Sequence, residues 1–324
     1  LNTAAGNTAV GHQTMLNNST GTENTAVGKN ALDSNTTASN NTAVGYDALE
    51  ANTTGTSLVA VGHNALGAHT TGSANVAMGR SAMEDLTTGE DNTAVGHYAS
   101  ANLTTSSHNT SLGYAALNVA TTGHSNVAVG KNAGLNISAG FKNTMLGFAA
   151  GDTTTVGDYN IIIGSEADTS ATNTEHEVVI GASATGKGSN TGFFAPSSGS
   201  VYNSANTTTW NQTSDRRIKK NIVDNNQGLE IINQIRVRNF EYRTVDEIVD
   251  FDKPEAAVVE KEGLQIGTIA QEIETVLPQI IKTESTGVKQ VDTDSMTWYL
   301  VNAVQELSAE VEELKSKAHD KCDK

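Results

Sequence analysis

Between residues 1 and 185 the apolar positions are sparse, isolated and periodic. The string Asn-Thr-Ala-Val-Gly recurs, and its glycines run from Gly11, Gly28 and Gly45 to Gly164 and Gly181, always 17 residues apart. The residue before each glycine is apolar, from Val10 to Ile180. Asn stands four before it in nine of the eleven copies, with Leu58 and Glu177 the exceptions. Ala stands three after it in ten copies, with Thr14 the exception. A further glycine lies seven before it in many copies, Gly21, Gly55 and Gly72 among them.

A fixed internal period marks a stack of like units. Thr-Ala-Val is a short extended segment with one inward residue, and the glycine supplies a tight bend or a close backbone approach. Seventeen residues are too few for two packed helices and too many for one strand. The pattern therefore predicts a coil of two short strands and two turns. Stacked coils would form parallel ladders about 4.8 Å apart, and ten steps would span roughly 50 Å. The fixed Asn predicts an amide ladder along the stack. Ala, Gly and Thr leave each coil little core, so packing against copies of the same chain is expected. Ile161-Ile162-Ile163 and Val178-Val179-Ile180 predict a more buried end of the stack. Residues 186–213 lose the period and carry Phe193, Phe194, Tyr202 and Trp210, which reads as a neck between two packings.

At Ser214 the pattern changes. Arg216, Arg217, Lys219 and Lys220 arrive together. Leu229, Ile232 and Ile235 have helical spacing, and residues 237–243 alternate like a strand. Residues 244–262 are acidic, hold Pro254, and read as an exposed loop. A strand is predicted over 264–269, and a short helix over 270–277 that stops before Pro278. In the final helix Leu300, Val304, Leu307, Val311, Leu314 and Ala318 step by 4, 3, 4, 3 and 4, a coiled-coil seam. The alternation of Val and Leu suits two strands as well as three.

Composition sharpens this picture. The 324 residues are 37% hydrophobic, 5% aromatic and 17% charged, which suits thin repetitive β structure better than a large-cored enzyme. The net charge of −16 gives no long-range attraction for polyanions, so nucleic acid is not an expected partner. No apolar run is long enough for a membrane span, and no signal peptide is visible. The chain opens at Leu1 inside repeat-like sequence, so the rest of a longer fibre is expected before it. Cys322 is the single cysteine, which excludes a disulfide framework.

Candidate chemistry is scarce in the repeat. His12, His63 and His97 share the slot after the repeat glycine with Lys29, Arg80, Tyr46, Tyr114 and Phe148. His63 and His97, two coils apart along one chain, are too far apart to share an ion. The slot reads as a variable solvent-facing turn, and no metal or cofactor is expected. The junction is different. A Ser hydroxyl needs a base to act as a nucleophile, and a Lys amine can serve where burial and neighbouring cations lower its pKa. Arg216, Arg217 and Lys220 supply such cations around Lys219. Taken alone, this stretch reads as a helix N-cap on a solvated basic face.

The repeat resembles the head repeats of trimeric autotransporter adhesins, and similar repeats of phage tail fibres, although its coil is longer than the usual adhesin repeat. That implies a trimeric parallel β-roll over residues 1–185. The residues from 214 onward resemble the self-cleaving intramolecular chaperone domain at the end of endosialidase tailspikes and many tail fibres. The matching runs are Thr213-Ser214-Asp215-Arg216-Arg217-Ile218-Lys219-Lys220-Asn221-Ile222, Val237-Arg238-Asn239-Phe240-Glu241-Tyr242, Gly267-Thr268-Ile269-Ala270-Gln271-Glu272 and Asn302-Ala303-Val304-Gln305-Glu306-Leu307. The acidic insert 244–262 departs from the family by lengthening a loop. The resemblance implies an α+β chaperone domain over 214–324, ending in a coiled-coil helix. It implies a homotrimer and a cut at Thr213–Ser214, with Ser214 as nucleophile and Lys219 as base.

The expected whole is a mostly β trimeric fibre segment, carried on a virion, that attaches to a host-surface glycan. Two alternatives stand beside it. One is a bacterial surface adhesin with a non-cleaving trimerisation cap. The other is a polysaccharide depolymerase, which requires paired carboxylates in a groove, whereas no acid recurs at a fixed slot of the repeat.

Overall fold

The computed structural model describes residues 4–196, 200–203, 210–211, 214, 216–248, 259, 261–284 and 287–322. The chain divides into two compact units, Leu1–Ser214 and Asp215–Lys324.

The first unit is a β-solenoid of about eleven turns. Each coil contributes one three-residue strand, from β1 (Thr8–Val10) to β11 (Val178–Ile180). Neighbouring strands pair in parallel with a constant offset, Thr8 opposite Thr25 and Ile161 opposite Val178. The expected second strand of each coil is absent, and the backbone explains why. Positive φ recurs at three slots: five before the repeat glycine (Ser57, 58°), two after it (Asn64, 57°) and four after it (Leu66, 51°). Alternating handedness after the glycine winds the chain too tightly for a strand. Its peptide groups still bond to the adjoining coils, Ser81 N–H donating to His63 O at 2.9 Å and Met83 N–H to Ala99 O at 3.0 Å. Left-handed backbone costs a side-chain-bearing residue roughly 1–2 kcal/mol, which these inter-coil bonds offset. Among the described residues, none of the non-glycine residues in that conformation is Val, Ile or Thr, for which it is most strained.

The inward residue of Thr-Ala-Val is its middle one. Ala26, Ala43, Ala60, Ala77 and Ala94 are fully buried, and Met145, Ile162 and Val179 take their place later. They face Leu32, Leu49, Leu66, Met83 and Leu117 from the wound segment. The apolar residue before each glycine points outward instead, leaving Val10, Val27, Met78, Leu112 and Leu146 exposed. The glycines stack on one another: Gly96 has φ +140°, and a Cβ there would lie 2.4 Å from Gly113 O.

The expected amide ladder is present. Asn126 Oδ1 accepts from Asn143 N–H at 2.9 Å, and Asn143 Nδ2 donates to Gly157 O at 2.7 Å. The ladder ends at Glu177, whose N–H donates to Asn160 Oδ1 and whose carboxylate accepts from Gly188 N–H at 2.7 Å. A second, shorter ladder occupies the slot seven after the glycine, where Asn52 Nδ2 donates to Asn35 Oδ1 at 3.2 Å. It closes on His69, which lies between Asn52 and Asn75 at 3.4 and 3.3 Å. Leu86 and Leu103, both buried, fill this slot in the next two coils. Past residue 185, β12 (Gly192–Phe194) still pairs in parallel with β11, whereas β13 (Val201–Asn203) and β14 (Trp210–Asn211) run antiparallel.

The second unit is a small β/α region ending in a long helix. It contains α1 (Leu229–Ile232), the antiparallel pair β15 (Arg238–Phe240) and β16 (Gln265–Gly267), α2 (Ala270–Glu274), the hairpin β17 (Ile281–Thr283) and β18 (Lys289–Val291), and α3 (Thr293–Cys322). Each short element falls inside its expected stretch but is shorter. The hairpin was not legible, because both its strands are dominated by polar residues. Ile273, Leu277 and Ile280 form the core, with Ile231, Ile235, Val291, Met296 and Tyr299 packed around them. Within the acidic insert, Val245–Glu247 form a 3-10 turn with a Thr244–Glu247 capping box; most of the remaining insert lies outside the described residues. The seam residues Leu300, Val304, Leu307, Val311 and Leu314 are all exposed in the single chain.

Two outcomes follow from this packing. Gly96→Ala is expected to destabilise the stack by more than about 3 kcal/mol in denaturant unfolding. Gly192→Ala, where a Cβ meets nothing within 4 Å, should change stability little; equal effects would contradict the stacked-glycine account. Burial lowers the His69 pKa from 6.5 to about 4. The unfolded chain therefore binds more protons between those values. The contribution of neutral His69 is complete above the unfolded pKa and is lost as pH falls towards the folded one, by about 2 kcal/mol at pH 5. His69→Asn is expected to flatten the change in thermal midpoint between pH 7 and 5, and an unchanged slope would refute this role.

Candidate functional site

Ser214 is exposed at the end of the first unit. Thr213, the other side of the expected cut, lies outside the described residues, as does Asp215. Arg216–Ile218 form a single 3-10 turn, closed by Lys219 N–H donating to Arg216 O at 3.2 Å. A run of basic residues around a three-residue turn exposes each of them, and Arg216, Arg217, Lys219 and Lys220 are all solvent-facing. Ser214 belongs to the first unit and Lys219 to the second, five residues further along the chain.

Downstream of this turn the chain is tied to α3. Asn302 Nδ2 donates to Asn225 O at 2.7 Å and to Gln227 O at 3.2 Å. Glu306 Oε2 accepts from Leu229 N–H at 2.7 Å. Leu229 N–H is one of the unpartnered donors at the start of α1, and a carboxylate 77 residues away satisfies it in place of a local cap. Gly228 lies flat against the helix, since a Cβ there would come within 2.5 Å of Ala303 N. Asn302 and Glu306 stand one turn apart on the helix that carries the exposed seam. Segment 225–229 is therefore held against the helix that carries the seam.

A second tie joins β15 to α2. Arg238 grips Glu272 with two bonds, Nε to Oε2 at 3.1 Å and Nη2 to Oε1 at 2.6 Å. This side-chain bond from Arg238 holds the Glu272 carboxyl below the usual carboxylate range. All four residues stand in runs that the sequence singled out, but neither pairing was legible there. The helix-face spacing of Asn302 and Glu306 was the available signal, and nothing local identifies a partner 77 residues away.

Four histidines of the repeat, His63, His97, His124 and His176, take part in ring contacts. His63 stacks on Tyr46 at 5.1 Å and His97 on Tyr98 at 4.0 Å. Among the described residues no three His, Cys, Asp or Glu side chains gather as a metal site. Nor is any described helix long and apolar enough to cross a membrane.

Residues 214–282 match the family model of the chaperone of endosialidase. The match opens on Ser214. No curated protein and no solved structure matches the chain. The matched segment and the 17-residue solenoid before it fit a tail fibre with a C-terminal intramolecular chaperone. Such a chaperone implies trimer assembly and belongs to a family of self-cleaving peptidases.

The clamp has a direct check. Glu306→Ala leaves Leu229 N–H without its acceptor and is expected to cost the second unit roughly 1–3 kcal/mol. Amide exchange at Leu229 should accelerate while that at Ile273 changes less. Unchanged protection at Leu229 would show that the clamp is not formed.

Proposed function

We propose that the chain is part of a homotrimeric fibre for attachment to a host surface, assembled by a C-terminal domain that then cuts itself free at Thr213–Ser214. The observation that carries this reading is that the family match begins on the residue proposed as nucleophile. The outward apolar residues before each repeat glycine, and the exposed seam of α3, supply surfaces for chain-to-chain packing in both units.

The cut requires no group from outside the polypeptide except water. Ser214 Oγ attacks the Thr213 carbonyl carbon while the Lys219 amine takes the hydroxyl proton. The carbonyl carbon–nitrogen bond breaks, and the same proton passes to the leaving Ser214 nitrogen. The resulting ester between the Thr213 carbonyl and Ser214 Oγ is hydrolysed by water. The products are a new carboxylate on Thr213 and a new amine on Ser214. Ser214 and Lys219 are both exposed in the single chain. Assembly supplies the missing exclusion of water, which places cleavage after trimerisation.

The sequence of events has a physical purpose. Parallel coils in one long register fold slowly and expose strand edges while they do so. Holding three chains together through α3 raises their effective concentration. Cleavage then removes the assembling domain and makes folding irreversible.

Intact mass of the purified protein beside Ser214→Ala and Lys219→Ala tests this reading. The parent should yield two pieces, residues 1–213 and 214–324, and both variants should remain single trimeric chains. An uncut parent that is still trimeric would make the domain a permanent trimerisation cap. A cut Ser214→Ala chain would remove Ser214 as the nucleophile.

A further inference from the structure

The slot after the repeat glycine differs from its neighbours in a way that packing does not explain. From His12 to Phe148 every occupant is a ring or a cation. The cations are Lys29, Arg80 and Lys131, 51 residues apart, so one falls on every third coil. Residues 1–213 hold five basic residues, and three of them stand in this slot; none of the 14 acidic residues does. Three coils separate successive cations by about 14 Å along the stack.

The slot forms a strip along the solenoid surface. Lys29, Arg80 and Lys131 are exposed, and among the described residues none has a carboxylate within ion-pair distance. Lys29 Nζ lies 5.2 Å from the Tyr46 ring, which stacks on His63. Lys131 Nζ lies between the rings of Tyr114 and Phe148, at 5.9 and 5.7 Å. Tyr46 and His63, then His97 and Tyr114, fill the intervals between the cations, and rings lie against Lys29 and Lys131. Asp47, beside Tyr46 in the chain, accepts from Asn30 Nδ2 at 2.9 Å. Every charge in the slot itself is positive, and its Tyr and His side chains are hydrogen-bond donors. Such a row suits a long ligand rich in oxygen acceptors that carries negative charge at intervals.

We propose that this strip binds an extended anionic polysaccharide laid along the solenoid, with acidic groups meeting Lys29, Arg80 and Lys131. The proposal rests on the reading of the fibre as a host-surface attachment segment and names the class of glycan it would take. A chain of net charge −16 repels polyanions at a distance, so contact depends on this local row and weakens with salt.

The full chain is tested against immobilised hyaluronate and heparin, with neutral dextran and single-stranded DNA as controls. Binding to at least one acidic polysaccharide at low salt is expected, with none to dextran. The triple variant Lys29→Gln/Arg80→Gln/Lys131→Gln should bind about tenfold more weakly. Lys142→Gln/Lys187→Gln, which removes the other two cations of this unit, should bind as the parent does. Failure to bind either acidic polysaccharide, equal binding by the triple variant, or DNA bound as tightly as polysaccharide would overturn the proposal. A triple variant with altered oligomeric state by light scattering would also overturn it and assign the strip to contact between chains. Adsorption of the labelled fibre to host cells is read in parallel: no adsorption despite intact polysaccharide binding counts against the attachment reading alone.

Discussion

In the first unit the coils satisfy only part of their buried polar groups by themselves. Asn126 Oδ1 has its partner one coil along the stack, and so does Asn143 Nδ2. The backbone obeys the same rule, because the strand and the wound segment both bond to adjoining coils. A buried amide left without a partner costs roughly 1–3 kcal/mol. A coil out of register by one residue would leave several such groups unpaired and turn its strand's single inward side chain outward. The uniform 17-residue period over eleven copies is the result of this constraint. Glycine at the stacked bend is a further consequence, since Gly96 and Gly113 approach too closely for any side chain.

A fold in which every unit depends on its neighbour has a costly first step. Two coils must be wound before any ladder bond forms, and a nascent end exposes unpaired strand edges. The core of each coil is small, since Ala26, Ala43 and Ala60 bury small side chains opposite single leucines of the wound segment, Leu32, Leu49 and Leu66. Stability accumulates along the stack and is weakest in short or interrupted stacks. This makes sense of an assembling domain at the C-terminal end. Its long helix leaves a 4-3 seam exposed, and the clamp from Asn302 and Glu306 couples that helix to the segment just after the junction.

The sequence showed much of this architecture because a solenoid writes its contacts as a period. The spacing of Gly11 to Gly181 became the parallel register, and the fixed Asn became the amide ladder. What it hid was conformational. Leu66 and Met83 look like ordinary core residues, yet both sit in left-handed backbone, and the glycines that take their slot in later coils, Gly134 and Gly151, were the trace of it. That winding replaced the expected second strand. It also explains why Ala60 rather than Val61 faces the core, since only one short strand fixes the inward direction. In the second unit the short elements were found approximately, whereas the Arg238–Glu272 and Glu306–Leu229 ties join residues 34 and 77 apart and leave no local pattern. The junction was visible through its basic cluster and its resemblance, not through geometry.

Removing one whole coil tests the register constraint most directly. Deleting residues 80–96 joins Gly79 to His97 and preserves every ladder, and the shortened chain should fold with a cooperative thermal transition close to that of the parent. Deleting 80–95, one residue fewer, should abolish that transition, because all coils beyond the cut are out of step with those before it. If the two deletions behave alike, inter-coil register is not what holds this protein together.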